Sequence, residues 1–435
     1  MNERLPEAFV NRMREQLGSE LPSFLHALEE PPLRGIRYNP MKQTAAAEVY
    51  ATAETIPWQE NAYYLPSDSE AGRSVLQEAG AYYIQEPGAM MPAAVLDAHP
   101  GERILDLCAA PGGKSTQIGL AMKGKGLLVC NEPVSKRAQI LSRNIERMGL
   151  PNTVVTCALP ETLAEKWSEG FDAVLVDAPC SGEGMFRREP ETRHEWTSEK
   201  ASGCACRQRE ILQEAARLVC PGGRLVYSTC TYNPEENEEN ASWFLKAFPE
   251  FTAEPFEIPG IQAPKGMYTC YPHRLKAEGQ FAVRFRKNGD GSAELPEDRS
   301  VKKPGKAERA AFEQLFPSHA EPTHQMGDTL IHIPFLPDIQ GIKVMRIGLH
   351  LCEIRGKTAV PDHAVALCFN KPDMPVYELS AENALRYAAG ETIAGDAEGW
   401  VLLLYEGLVL GWGKGSQGTI KNHYPKGLRN IRYTI

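Results

Sequence analysis

The sequence has no Cys-x-x-Cys pair, no internal repeat and no long apolar run. Each absence removes a class of answers. Its eleven cysteines are an odd number without metal-ligand spacing, so they read neither as a disulfide scaffold nor as a zinc framework. Cys204-Ala-Cys206, with His194 nearby, matches no common metal pattern either. The first residues carry two early acids and no apolar stretch, which argues against a secretory leader. The most apolar late stretch, Trp400 to Trp412, contains Glu406 and is too short to span a bilayer. These absences predict a soluble, cytoplasmic protein with reduced thiols, no metal and no membrane partner.

What is present is ordinary in bulk. With 42% hydrophobic and 24% charged residues, the chain is neither collagenous, coiled-coil nor disordered. Its 435 residues predict two or three domains. The 47 basic against 56 acidic residues give a formal charge of −9, which taken as a sum disfavours polyanion partners. The distribution is uneven, however. After Glu406 there is no acid, while Lys414, Lys421, Lys426, Arg429 and Arg432 alternate with Trp412, His423, Tyr424 and Tyr433. Arg34, Arg37 and Lys42 form a second acid-free stretch around Tyr38. Cations interleaved with aromatics suit RNA, through phosphate contacts and base stacking. They equally suit a basic strand held by packing.

Apolar runs and helical spacing alternate between about residue 99 and residue 288. Strands are predicted at Arg103 to Cys108, Leu127 to Cys130, Thr153 to Cys157, Phe171 to Asp177 and Arg224 to Thr229. Helices are predicted at Val134 to Gly149 and at 199–219, the latter stopped by Pro221-Gly222-Gly223. This rhythm predicts an α/β Rossmann-like parallel sheet with helices on both faces. An antiparallel hairpin is expected at the sheet edge within 267–287. Residues 1–98 read as a mixed α+β region and 289–307 as a polar linker. Residues 308–435 read as a separate small α+β or β-barrel-like unit with one short helix near 380–389.

Three segments carry chemistry. In Asp106-Leu-Cys108-Ala109-Ala110-Pro111-Gly112-Gly113-Lys114 a strand turns into a helix. The glycines let backbone approach a ligand, and the helix start offers free N–H groups. Glu132, nineteen residues beyond Gly113, stands where doubly wound folds place an acid against ribose hydroxyls. Arg137 follows in the next helix and joins this predicted cofactor site, which suits an adenosine derivative. Gly-Gly-Lys-Ser-Thr also looks like a P-loop, but that motif requires glycine where Cys108 stands. The other two segments are Asp177-Ala-Pro-Cys180-Ser-Gly-Glu-Gly and Ser228-Thr-Cys230-Thr-Tyr-Asn-Pro-Glu-Glu-Asn. Each places a cysteine just beyond a strand's carboxyl end, the edge where open α/β sheets bind ligands.

Two thiols, a carboxylate and an adenosine cofactor suit methylation of pyrimidine carbon 5. A thiolate adding to carbon 6 makes carbon 5 nucleophilic, and a nearby carboxyl group stabilises the charge that develops. The second thiol assists release. Lys114 is a candidate for lowering the nucleophile's pKa. The residues alone do not say which cysteine attacks.

These motifs closely resemble the Nop/Sun family of S-adenosylmethionine-dependent RNA cytosine-5 methyltransferases. Further matches are Arg37-Tyr-Asn39-Pro-Met-Lys42, Gln85-Glu-Pro-Gly-Ala-Met90, Tyr271-Pro-His273 and Glu278-Gly-Gln-Phe281. The resemblance runs through residues 5–287. Gly411-Trp-Gly-Lys414 and Lys421-Asn-His-Tyr-Pro-Lys426-Gly-Leu-Arg429 resemble the PUA-like region of the bacterial ribosomal-RNA members. By resemblance, Cys230 is the nucleophile and Cys180 assists release. Residues 108–114, Glu132 and Asp177 bind the cofactor, with Asp177 between donor and base. Arg37, Asn39, Lys42, Lys414, Lys421, Lys426 and Arg429 are the expected RNA contacts. The expected substrate is ribosomal RNA or a ribosomal subunit, acted on by a monomer. The rivals are a transfer-RNA methyltransferase and a non-catalytic RNA-binding assembly factor on the same scaffold. One departure stands out: relatives place an Asp or Asn after the third strand for the adenine amine, and here Cys157 follows that strand.

Overall fold

The computed structural model describes residues 4–42, 50, 54–319, 321–368 and 371–435, so the first three residues of the expected non-leader start lie outside them. The central sheet forms as the apolar runs require. Arg103–Asp106, Leu127–Asn131, Thr153–Thr156, Phe171–Asp177 and Val219–Thr229 pair in parallel. Every residue of Leu127–Asn131 and of Thr153–Thr156 is buried, which is why these strands read as continuous apolar runs rather than alternating ones. Arg103–Asp106 lies at the centre, flanked by Leu127–Asn131 on one side and Phe171–Asp177 on the other. The chain order reverses there, opening a crevice at the strands' carboxyl ends.

The helix Ser135–Arg147 buries Ala138, Leu141 and Ile145, the face its spacing predicts. Ser198–Leu218 starts at Thr197, whose side chain accepts from the Lys200 N–H at 3.2 Å. Met267–Cys270 and Gln280–Lys287 form the expected antiparallel edge, with Gln280–Lys287 paired to Val219–Thr229. The last parallel strand begins five residues earlier than expected. Its pairing jumps from Phe171↔Val219 to Ala173↔Arg224, so Pro221-Gly222-Gly223 loops out within the strand. Proline is tolerated there because its missing N–H falls outside the ladder.

Two regions differ more from expectation. The segment 289–307 is anchored rather than a free linker: Ala293, Leu295 and Asp298 are buried, Leu295 in the cluster with Trp167 and Phe171. Its end is already helical, in Lys306–Leu315. The region beyond is neither one sheet nor detached. His324–Met326, Thr329–His332, Leu349–Arg355 and Thr358–Pro361 form one sheet. Val376–Glu378, Gly399–Tyr405, Leu408–Ser416, Thr419–Asn422 and Ile393–Ala394 form another. The expected helix is Ala381–Ala389. Val344–Ile347 leaves both sheets and pairs antiparallel with Thr153–Thr156, extending the central sheet.

The N-terminal helices Glu7–Leu17 and Leu21–Ala27 set Phe9 and Phe24 against Phe186, Trp196 and Tyr232, next to the cysteine-bearing loops. Arg34–Tyr38 lies between Ala62–Leu65 and Tyr82–Gln85 in a three-stranded antiparallel sheet. Among the described residues, no helix is long and apolar enough to cross a membrane.

Candidate active site

The crevice holds a cavity of about 370 Å³, whose lining includes Asp106, Cys108, Gly113, Lys114, Asp177 and Cys230. On one side, strand Arg103–Asp106 runs into the loop that opens helix Gly113–Ala121. Gly112 has φ +114°, a conformation L side chains rarely adopt, and a Cβ there would sit 3.1 Å from Leu141. Asp106 is fully buried, and its Oδ2 accepts from Ser115 Oγ at 2.6 Å while Oδ1 has no partner. Burial first, then the nearby Asp177, push its pKa up to about 7. Glu132 is buried; Oε1 accepts from the Val134 N–H at 2.9 Å and Oε2 pairs with Arg137 at 2.9 Å. Arg137 also donates to the Ala110 carbonyl at 3.0 Å, bridging the two halves of the predicted cofactor site. An unpartnered buried carboxylate oxygen and a backbone turn cleared of side chains fit a polar, adenosine-type cofactor.

On the other side the two thiols meet. Cys180 Sγ lies 3.2 Å from Cys230 Sγ, and the Cys230 N–H donates to Cys180 Sγ at 3.3 Å. The hydrogen bond to Cys230, then burial, raise the Cys180 thiol well above its ordinary value. Asp177 stands beside the pair. Its Oδ2 is 2.7 Å from Lys114 Nζ, and its Oδ1 accepts from Ser228 Oγ at 2.8 Å and Gln280 Nε2 at 3.4 Å. Burial alone would lower the Lys114 pKa, but Asp177, with help from Cys230, outweighs it and keeps the ammonium charged. The structure thus brings together Cys230, Cys180, Asp177, Lys114 and the 108–113 loop.

Several contributors escaped the sequence reading. Ser228 and Gln280 orient Asp177; both stood inside the quoted motifs, one beside Thr-Cys and one inside Gly-Gln-Phe. Arg187 pairs with Glu278 at 2.8 Å, and Glu86 accepts from the N–H groups of Glu278, Gly88 and Ala89. These links tie the N-terminal sheet to the cavity wall. Gln208, midway along Ser198–Leu218, donates to the Pro179 carbonyl at 3.0 Å and gives no sequence signal at all.

Three expected RNA contacts point inward, and this is a correction. Arg37 is 1% exposed and donates to the Gly113 carbonyl at 3.0 Å and to Thr116 Oγ1 at 2.9 Å. Asn39 is 1% exposed and donates to the Gly80 and Met148 carbonyls. Lys42 donates to the Ala79 and Arg147 carbonyls, and burial lowers its pKa to about 7. Their hydrogen bonds run to groups inside the protein, and Arg37 and Asn39 are closed off from any phosphate by burial. Lys414, Lys421, Lys426 and Arg429 are exposed, by contrast. Lys414 lies over the Trp400 ring, 5.3 Å from its centroid, and pairs in register with Lys421.

Cys157 is half-buried; its thiol donates to the Pro133 carbonyl at 3.4 Å and its N–H to the Lys343 carbonyl at 2.8 Å. Val134 and Leu159 are exposed close by, so this rim is apolar. Cys204 and Cys206 lie on Ser198–Leu218, half-buried and exposed.

Comparison with known proteins gives four family matches in series. Residues 5–87 match the N-terminal domain of 16S rRNA methyltransferase RsmF, and 93–286 match 16S rRNA methyltransferase RsmB/F. Residues 310–369 match the RsmF first C-terminal domain, and 374–430 match the RsmF PUA domain. The chain is 31% identical over 462 residues to ribosomal RNA small subunit methyltransferase F of Cronobacter sakazakii, covering 98% of this chain and 96% of that one. A methyltransferase homolog protein from Pyrococcus horikoshii superposes with TM-score 0.56 at 27% identity, over 65% of this chain and 95% of that one. NSun6 from the same organism, solved with SFG, gives TM-score 0.57 at 22% identity, over 67% of this chain and all of that one, a likeness of fold alone.

Proposed function

The chain belongs to the ribosomal RNA small subunit methyltransferase F family, and on that premise we propose that it converts cytidine to 5-methylcytidine in small-subunit ribosomal RNA. S-adenosylmethionine is the cofactor, and when bound it supplies an electrophilic methyl group on a sulfonium. The observation that carries the reading is the thiol pair at 3.2 Å beside the Lys114–Asp177 ion pair, with Cys230, Lys114 and Asp177 lining one cavity.

The residues divide the work. The 108–113 loop, Asp106, Glu132 and Arg137 hold the cofactor. Cys230 is the nucleophile, the role its Thr-Cys motif carries by resemblance, and Cys180 lies 3.2 Å from it. Attack forms a bond from Cys230 Sγ to carbon 6 and moves the double-bond electrons to carbon 5, which takes the methyl group. Asp177, held by Lys114, Ser228 and Gln280, faces the polar edge of the base and stabilises charge there. Loss of the carbon 5 proton to a base restores the double bond and expels the Cys230 thiolate, with Cys180 assisting.

Residues 99–288 carry this chemistry, and 308–435 hold RNA through Lys414, Lys421, Lys426 and Arg429. In this reading the protein acts as a monomer in the cytoplasm. The test is methyl transfer from labelled S-adenosylmethionine to small-subunit RNA. Cys230→Ala abolishes it; appreciable turnover in that variant refutes the nucleophile assignment. Cys180→Ala leaves a covalent enzyme–RNA adduct, read as a slow band on denaturing gels.

A further inference from the structure

The loops bearing Cys180 and Cys230 are joined by a carboxylate that plays no part in the chemistry above. Glu236 is fully buried. Its Oε2 accepts from the Ser181 N–H at 2.9 Å and Gln208 Nε2 at 2.9 Å, and its Oε1 from Ser181 Oγ at 2.5 Å and Asn233 Nδ2 at 3.3 Å. Gln208 Nε2 also donates to the Pro179 carbonyl at 3.0 Å, so the residues on both sides of Cys180 are tied to this group. Glu236 itself stands six residues after Cys230, and Ser181 Oγ further bonds Thr231 Oγ1 at 2.9 Å.

We propose that Glu236 is the positioning residue that holds Cys180 against Cys230, and that it serves release of methylated RNA rather than the attack. The inference rests on the cysteine roles given above. These four donors are all neutral groups, and four of them aimed at one buried carboxylate make a directional tie between two loops. Attack on carbon 6 needs Cys230 alone. Release needs the second thiol within reach, and its loop is what the tie fixes.

The test uses the full chain with small-subunit RNA and labelled S-adenosylmethionine, in Glu236→Gln, Ser181→Ala and Cys180→Ala. With Glu236→Gln the first turnover stays within about threefold of wild type while steady-state turnover falls about tenfold or more, and an adduct band accumulates. Ser181→Ala shows the same pattern more weakly. Combining Cys180→Ala with Glu236→Gln gives release no slower than Cys180→Ala alone, because both act on one step. Wild-type turnover without adduct, or equal loss of first and later turnovers, overturns the proposal. If Glu236→Gln loses the wild-type cooperative melt, Ser181→Ala decides by the same two readouts. No adduct with Cys180→Ala refutes the cysteine roles themselves; adduct there and none with Glu236→Gln refutes the tie alone.

Discussion

Replacing Arg37 by alanine separates two roles for one cation, a buttress of the cofactor loop or a contact to RNA. Its Nη2 donates to the Gly113 carbonyl at 3.0 Å and to Thr116 Oγ1 at 2.9 Å, at the start of the helix that opens the cofactor site. At about 1.5 kcal/mol for each hydrogen bond from a charged donor, the variant forfeits about 3 kcal/mol. Part is returned. Nε is buried without a partner, and burial already lowers the guanidinium pKa to about 10, so removing the charge relieves about 1 kcal/mol of desolvation. The net loss of about 2 kcal/mol corresponds to a melting temperature lower by about 2 to 4 °C. Thermal melting and titration calorimetry with S-adenosylmethionine check it: the variant melts earlier and binds cofactor more weakly, with RNA affinity unchanged at saturating cofactor. An unaltered melt together with weaker RNA binding, and a salt slope smaller by about one, would refute the buttress.

Lys114→Met removes the charge 2.7 Å from Asp177 and should lower turnover about a hundredfold, measured as initial rates of methyl transfer; an unchanged rate would make the pair merely structural. Lys414→Ala with Lys421→Ala takes two exposed cations from adjacent strands and should reduce the salt slope of RNA binding by about two, with melting unchanged; an unchanged slope removes this face from the RNA path. Asp106 gives a pH signature. Its folded-state pKa, about 7, lies above the ordinary carboxylate value, so the folded chain keeps a proton the unfolded chain has lost. The stability this lends is full below about pH 4, falls as pH rises and is gone above about pH 7. Unfolding free energies of Asp106→Asn and wild type, from urea titrations, should therefore diverge in favour of the variant by about 2.5 kcal/mol between pH 5 and pH 8. Parallel curves would show that Asp106 is ionised throughout.

The central sheet and both cysteine loops were legible because their physics is local. Strands buried on both faces leave continuous apolar runs, and ligand groups collect where those runs end. The Arg37 stretch misled for the opposite reason. Cations among tyrosines suggested base stacking, but Arg37 lies against Tyr83, 5.7 Å from the ring centroid, and Tyr38 is buried. The same composition serves an internal cation–π contact, and sequence does not say which face a strand turns inward. Glu236 lies in the acidic run Glu235-Glu-Asn-Glu-Glu239, whose charges by themselves suit a solvated helix start. Glu238 and Glu239 do begin Glu238–Ala247, whereas Glu236 turns back into the protein. Leu295 was concealed by polar neighbours in an apparent linker.

Val344–Ile347 could not be read locally at all, since its partner strand lies some 190 residues earlier in the chain. Its placement matters to both ends of the protein. Without it Thr153–Thr156 would be an open edge, with unpaired backbone groups beside the cofactor crevice. The pairing closes that edge, and the Lys343 carbonyl takes up the N–H of Cys157 at 2.8 Å. Arg346 then pairs with Glu146 at 2.6 Å and Lys343 Nζ donates to Ser135 Oγ at 3.1 Å, both on the helix that follows Glu132. The rim where Cys157 replaces the usual polar side chain is therefore shaped by backbone from the C-terminal half. The part of the chain proposed to hold RNA and the wall of the cofactor crevice share one sheet. The charge of −9 does not oppose this division: the acids offset the total, while the exposed cations of the last strands stand apart from them.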